Sequence, residues 1–103
     1  MKLGYFTQPF HPINRKVQET LFEDYQAGII ADRNGFSEAF FGEHVTDNYE
    51  TITSSLSFIA SLSYTTKNIF LGTCTINLPN VNPVHIAATA SMLDHMTNGR
   101  LIL

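Results

Sequence analysis

Few side chains in this 103-residue chain are suited to chemistry: four histidines, one cysteine, and the adjacent pair Glu43-His44. Imidazole is the side chain whose ordinary titration spans neutral pH, so His44 could move a proton or hydrogen-bond an oxyanion. Glu43 beside it is expected to orient the loop or a partner group. His11, His85 and His95 have no metal-ligand spacing; the last two lie ten residues apart on one helical stretch and are expected at the surface or at helix ends. Cys74 has no base near it in sequence, so Cys74-Thr75 reads as small packed residues rather than as a nucleophile. Phe6 and Thr7 could line the mouth of a pocket, and Asp94 and Arg100 are expected to pair structurally.

These residues must be held by elements, and the apolar pattern supplies them. Residues 3–7 read as a strand, followed by the loop formers Gln8, Pro9, His11 and Pro12. Val17, Leu21, Tyr25 and Ile29 recur every four residues and predict a helix buried on that face together with Phe22. Lys16, Glu19, Glu23 and Asp24 are expected on the opposite, wet side, and Asn34-Gly35 to end the helix. Residues 38–41 read as a second strand, ending at Gly42-Glu43-His44. Thr53 or Ser54 could cap a second helix with Leu56, Ile59 and Leu62 buried. Residues 69–73 read as a third strand, extending toward Leu78. Asn82-Pro83 then opens a third helix carrying Val84, Ala87, Ala88, Leu93 and Met96, which Asn98-Gly99 closes. Residues 100–103 begin a fourth strand.

Strands alternating with helices at about 30–35 residues per unit predict a parallel sheet with right-handed crossovers. The first strand-helix turn, Thr7-Gln8-Pro9-Phe10-His11-Pro12, contains no glycine, which counts against a dinucleotide-binding domain. That places His44 just past the C-terminal end of a strand, where barrel enzymes build their active sites. An apolar strand at the end of the chain, with no turn after it, is expected either in a piece of a larger barrel or in a half-barrel that hides its edges in an oligomer.

Composition narrows the function. Six basic residues against nine acidic ones give a net charge of −3, which offers no polybasic surface for nucleic acid or an anionic membrane. One cysteine excludes an intrachain disulfide and suits a reducing compartment. The first ten residues are no secretory signal, and no segment approaches the roughly 20 apolar residues of a membrane span. A cytoplasmic protein is expected.

Three segments together resemble the bacterial luciferase-like flavin monooxygenases. Lys2-Leu3-Gly4-Tyr5-Phe6-Thr7 resembles the family's first barrel strand. Gly35-Phe36 with Ala39-Phe40-Phe41-Gly42-Glu43-His44 resembles its second strand and histidine loop. Leu71-Gly72-Thr73, Leu78-Pro79, Asn82-Pro83 and the run from Leu93 through Asp94-His95-Met96-Thr97-Asn98-Gly99-Arg100-Leu101 resemble its third strand, third helix and fourth strand. Two positions depart: many relatives have a second histidine where Val45 stands, and a histidine where Asn82 stands.

The resemblance implies an α/β fold: a partial TIM (β/α)8 barrel, residues 1–103 forming about its first half with four strands and three helices. It implies a monooxygenase in which reduced FMN, supplied by a separate flavin reductase, and dioxygen oxidise a small organic substrate. His44 would be the acid–base group beside the flavin. Cys74-Thr75 would form a non-prolyl cis peptide supporting the ring, with Thr73, Glu43 and Phe6 also at the cofactor. The phosphate-binding positions would lie beyond Leu103. Two other readings stay open: a deazaflavin-dependent oxidoreductase of the same family, and a non-catalytic flavin-binding or dimerising remnant.

Overall fold

A computed structural model describes all residues, Met1–Leu103. Strand β1 (Gly4–Thr7) leads to helix α1 (Val17–Arg33), β2 (Glu38–Phe41) to α2 (Ser55–Leu62), β3 (Phe70–Thr73) to α3 (Pro83–Thr97), and β4 (Leu101–Ile102) follows. A 3-10 turn, Leu78–Asn80, stands where the sequence suggested that β3 might continue. Proline at its second position cannot donate to a strand ladder, which favours the turn.

The sheet is wholly parallel, in the order β1-β2-β3-β4. Gly4 pairs with Glu38, Glu38 with Phe70, and Leu71 with Leu101, so each new strand is added on the same side. A doubly wound sheet would reverse that order partway. Side chains alternate across a strand, and one set, Tyr5, Ala39, Phe41, Leu71 and Leu101, packs in a single core with Ala31 of α1, Leu56, Ile59 and Leu62 of α2, and Leu93 of α3. All three helices therefore cover one face, as in an arc of a barrel. The other set makes the inner face, where Phe6 is 57% and Phe70 45% exposed. There Phe40 lies against β3, and a β-carbon on Gly72 would overlap its ring.

Helix caps fall where the sequence puts them. Ser54 accepts from the Ser57 amide, Asn82 accepts from the Val84 amide, and Asn98 and Gly99 both take positive φ. The burial of α2 is also as read, with Leu56, Ile59 and Leu62 inside.

The buried stripes of α1 and α3 differ from the expectation. On α1 the buried residues are Thr20, Asp24, Gly28, Ala31 and Asp32; of the expected stripe Tyr25 and Ile29 pack against the core, while Val17 and Phe22 are more than half exposed. Small residues let α1 come close: a β-carbon on Gly28 would stand 2.9 Å from a Leu62 methyl. The buried polar groups have partners, which removes most of the cost of burying them. Thr20 donates to the Val17 carbonyl, and Asp24 receives His11 Nε2 at 3.0 and 3.2 Å. On α3 the inward residues are Ala90, Leu93 and Thr97, flanked by Ile86 and Met96; Val84, Ala87 and Ala88 face outward. Apolar periodicity placed Leu93 and Met96 correctly and missed Thr20, Asp24, Gly28, Ala90 and Thr97, because these inward residues are small or polar.

At the N-terminal ends of the strands, two charged residues tie the elements together. Asp32 accepts from the backbone amides of Lys67, Asn68 and Ile69 at 2.8–2.9 Å. Burial pushes its carboxyl up, but those three amides and nearby Arg100 outweigh it and hold the group below the usual carboxylate range. Arg100 does not pair with Asp94. Its guanidinium donates to the carbonyls of Thr97, Ile69, Ser63 and Thr66 and to the Thr66 hydroxyl, which uses all five donors.

Candidate active site

The opposite ends of the strands gather the side chains suited to chemistry. Gly42 ends β2 with a buried backbone, and a β-carbon there would run into the Gln8 side chain. That close approach lets the segment leaving β1 cross over the exit of β2. The ladder continues past the strands: the Gly42 amide donates to Thr7, and the Cys74 amide to Phe41. Residues 8, 42–44 and 74–77 are thereby gathered at one place.

Glu43 joins two of these loops. Its Oε2 accepts from the Ser55 amide and hydroxyl at 2.9 and 3.0 Å, at the N-terminus of α2. Its Oε1 accepts from the Asn77 amide and side-chain nitrogen, both at 3.0 Å. All four acceptor positions of the carboxylate are occupied. Burial pushes Glu43 up, yet the amides of Asn77 and Ser55 and their side chains hold it below its ordinary range. The carboxylate thus braces two loops and has no vacant acceptor position for a bound molecule.

His44 is fixed by its backbone, which donates to the Ile52 carbonyl at 3.0 Å. Its Nε2 lies 2.8 Å from Glu50 Oε2 and 3.3 Å from the Gln8 amide nitrogen. The approach to Glu50 is close but not aligned as a hydrogen bond, and Oε2 is buried without another partner. The intervening loop is well braced. Asp47 Oδ1 accepts from the amides of Tyr49 and Glu50, Tyr49 stacks on Phe10 with ring centroids 4.7 Å apart, and the His11 amide donates to the Tyr49 carbonyl. The His11–Asp24 pair anchors that assembly to α1. Burial is the largest influence on Asp24 and raises its carboxyl, while His11 pulls the other way.

A cleft of about 500 Å³ opens here, and Glu43, His44, Cys74 and Thr75 line it with Gln8, Thr46, Asn77 and Asn80. The Cys74–Thr75 peptide bond is cis. Cys74 is a free thiol, half-buried. Phe6 and Thr73 are not brought into this lining: Phe6 lies on the open inner face of the sheet, and Thr73 pairs with Phe41 at the end of β3. His85 and His95 are exposed on α3 and absent from this lining, although His85 borders an adjoining hollow that shares Glu43, Asn77 and Asn80 with the cleft. A larger groove of about 730 Å³ between α1 and α2 contains no imidazole or thiol and lies on the helical side of the sheet.

Four residues of this constellation escaped the sequence: Gln8, Glu50, Ser55 and Asn77. The Asp47 turn is a sequence signal for a tight loop. Nothing local marks which side chain that loop then turns toward His44.

The family model described as luciferase-like monooxygenase matches residues 1–103. The chain is 35% identical over its whole length to 4-hydroxyprotoasukamycin monooxygenase of Streptomyces nodosus subsp. asukaensis, covering 28% of that protein. It is 31% identical to the oxygenase component of flavin-dependent trigonelline monooxygenase of Acinetobacter baylyi, with 98% of the chain and 28% of the relative aligned. The oxygenating constituent of 3,6-diketocamphane monooxygenase of Pseudomonas putida, solved in complex with FMN, superimposes with a TM-score of 0.94 at 25% identity, over all of this chain and 28% of that one. The chain thus spans just over a quarter of the length of these relatives.

Proposed function

The chain belongs to the luciferase-like monooxygenase family, and on that premise we propose that residues 1–103 are the N-terminal half of the barrel of a flavin-dependent monooxygenase. In this reading, reduced FMN and dioxygen oxidise a small organic substrate. The observation that carries it is the meeting of His44 with Cys74 and Thr75 in one cleft at the C-terminal ends of parallel strands.

The cleft fits one end of a flavin. It offers amide, hydroxyl and imidazole groups to a polar ring edge, beside an inner sheet face of Phe6 and Phe40. None of its lining residues is Lys or Arg, so the phosphate would be held by groups other than these. Gln8, His44 and the Cys74-Thr75 segment would contact the ring, and Thr73 and Glu43 would support that segment from behind. When bound, reduced flavin supplies the electrons that activate dioxygen.

The chain's own residues then have distinct tasks. His44 holds or releases a proton at the cleft, with its backbone fixed on Ile52. Glu43 fixes the distance between the His44 loop and the loop after β3. Apolar Phe6 and Phe40 help exclude water from the reacting region. A separate reductase would deliver the reduced flavin, a reading supported by the relative described as an oxygenase component.

The test is His44→Ala in a barrel-length monooxygenase carrying this chain, assayed with a flavin reductase. Turnover is expected to fall about 10²–10⁴-fold, with flavin binding little changed. Undiminished turnover would remove His44 from the reaction and with it this reading of the cleft.

A further inference from the structure

We propose that Glu50 is the positioning residue for His44, holding the proton on Nε2 so that Nδ1 is the nitrogen that exchanges a proton with the cleft. This rests, for its catalytic consequence, on His44 being the acid–base group.

The argument begins with the acceptor inventory. A carboxylate oxygen only accepts, and a neutral imidazole has one nitrogen that donates and one that accepts. At 2.8 Å from Glu50 Oε2, an unprotonated Nε2 would set two lone pairs against each other. A proton on Nε2 turns that contact into an attraction. The Glu50 side chain is only 18% exposed, and Oε2 has no hydrogen-bond donor. No lysine or arginine forms an ion pair with it, so His44 is its one basic neighbour. A buried carboxylate oxygen left wholly without a donor costs more than most single interactions provide.

The same proton decides the orientation of Gln8. Its amide nitrogen stands 3.3 Å from Nε2 and could donate only to a bare nitrogen. With Nε2 protonated, the amide must present its oxygen instead, a rotation that exchanges two atoms of nearly identical appearance. Nε2 and its one proton then lie beside two acceptors, Glu50 Oε2 at 2.8 Å and the Gln8 amide at 3.3 Å. Nδ1 makes no hydrogen bond within the chain. It is left to take up or return one proton while Nε2 keeps its own.

Glu50 is placed well enough for this role. Asp47 fixes its backbone amide, Tyr49 before it is stacked on Phe10, and the His11 amide holds the Tyr49 carbonyl. A carboxylate held by a braced loop can keep an imidazole in one ring orientation.

Nuclear magnetic resonance of the histidine rings in the 103-residue chain tests the pair directly. In the wild type, a ring N–H signal of His44 assigned to Nε2 is expected near neutral pH, protected from solvent exchange. Glu50→Ala should abolish it, and the isosteric Glu50→Gln, which keeps an acceptor without the charge, should speed its exchange about tenfold. A proton found on Nδ1, no protected signal in the wild type, or an unchanged signal in Glu50→Ala would overturn the proposal. In a barrel-length monooxygenase carrying these residues, Glu50→Gln should lower kcat about tenfold with KM unchanged, and should have no further effect once His44→Ala is present. An effect that simply adds to that of His44→Ala would show that Glu50 does not act through His44. If His44→Ala alone left turnover intact while the Nε2 signal behaved as expected, the pair would stand and the catalytic reading of His44 would fall.

Discussion

The two ends of the sheet use the same device for different purposes. At the N-terminal end, Asp32 gathers the three amides leading into β3; at the C-terminal end, Glu43 gathers the Asn77 amide after β3 and the Ser55 amide of α2. Both carboxyls are held below their ordinary range, against burial, by backbone donors. The difference lies in what remains after that accounting. Around Asp32, Arg100 spends every donor on carbonyls and a hydroxyl. Around Glu43, the His44 ring keeps an open nitrogen, Glu50 Oε2 and Thr51 Oγ1 are buried without hydrogen bonds, and a cleft opens beside them. A closed network gives stability alone, and an unfinished one next to a cavity leaves groups free for a ligand, which agrees with how barrels divide these tasks between their ends.

The contrast would be broken most sharply by His44→Ala. Against its 10²–10⁴-fold loss of turnover, its cost in unfolding free energy should stay within about 1 kcal/mol, read by thermal denaturation. Asp32→Ala should do the reverse. Leaving three backbone amides without their acceptor should cost about 2–4 kcal/mol, a fall in Tm of roughly 10–25 °C for a domain of this size. A shift below a few degrees would mean that water replaces the carboxylate and that the lower end is no more closed than the upper. Glu43→Gln, which keeps one acceptor oxygen, should cost about 1–2 kcal/mol. It should also loosen Asn77 and Ser55, seen as faster amide exchange at those two positions and not at Ile69.

Acid should act on both ends. A carboxyl depressed in the folded state binds more protons when unfolded, so its contribution is present above about pH 4 and is lost as pH falls through the folded value. Asp32 and Glu43 both have this sign, whereas Asp24, raised by burial, opposes them. Wild-type stability should therefore decline below about pH 4, and the decline should be shallower in Asp32→Ala and in Glu43→Gln, as measured by urea unfolding at a series of pH values. The smallest effect is expected on the outer surface. Phe22→Gln should change stability by no more than about 0.5 kcal/mol, because Phe22 is 56% exposed.

That last substitution touches what the sequence could not tell. Strand positions, helix ends and caps were legible because each rests on local chemistry: Asn98-Gly99 must turn, Pro83 must begin a helix, and Gly42 must end a strand closely packed. The faces of α1 and α3 were not, since Val17 and Phe22 imitate a buried stripe while Gly28, Thr20 and Asp24 do the packing. That Glu43, His44 and Cys74-Thr75 sit at strand exits was legible from the alternation of elements, whereas the cis peptide at Cys74-Thr75 was expected only from the resemblance. Glu50 lies nine residues past the end of β2 at Phe41, in a loop whose path depends on Phe10 and His11 far away in sequence. Phe6 and Thr73, which the resemblance put at the cofactor, are not in the cleft lining: Phe6 is on the inner face of the sheet, and Thr73 shares the helix-covered face with Phe41.

The strictly sequential strand order has a consequence for how the chain is made. Its principal contacts join each strand to the next and each helix to its neighbours, so every pairing closes a loop of about one strand–helix unit, beginning with Gly4 and Glu38. Such an arrangement behaves as a short linear array, in which order spreads from one unit to the adjacent one. Asp32 then acts as a checkpoint in time: it lies in the first unit, but its three acceptor bonds form only when the approach to β3 has arrived. Glu43 repeats this one step later, waiting for Asn77. The two carboxylates that divide the ends of the sheet in space thus also link successive units along the chain.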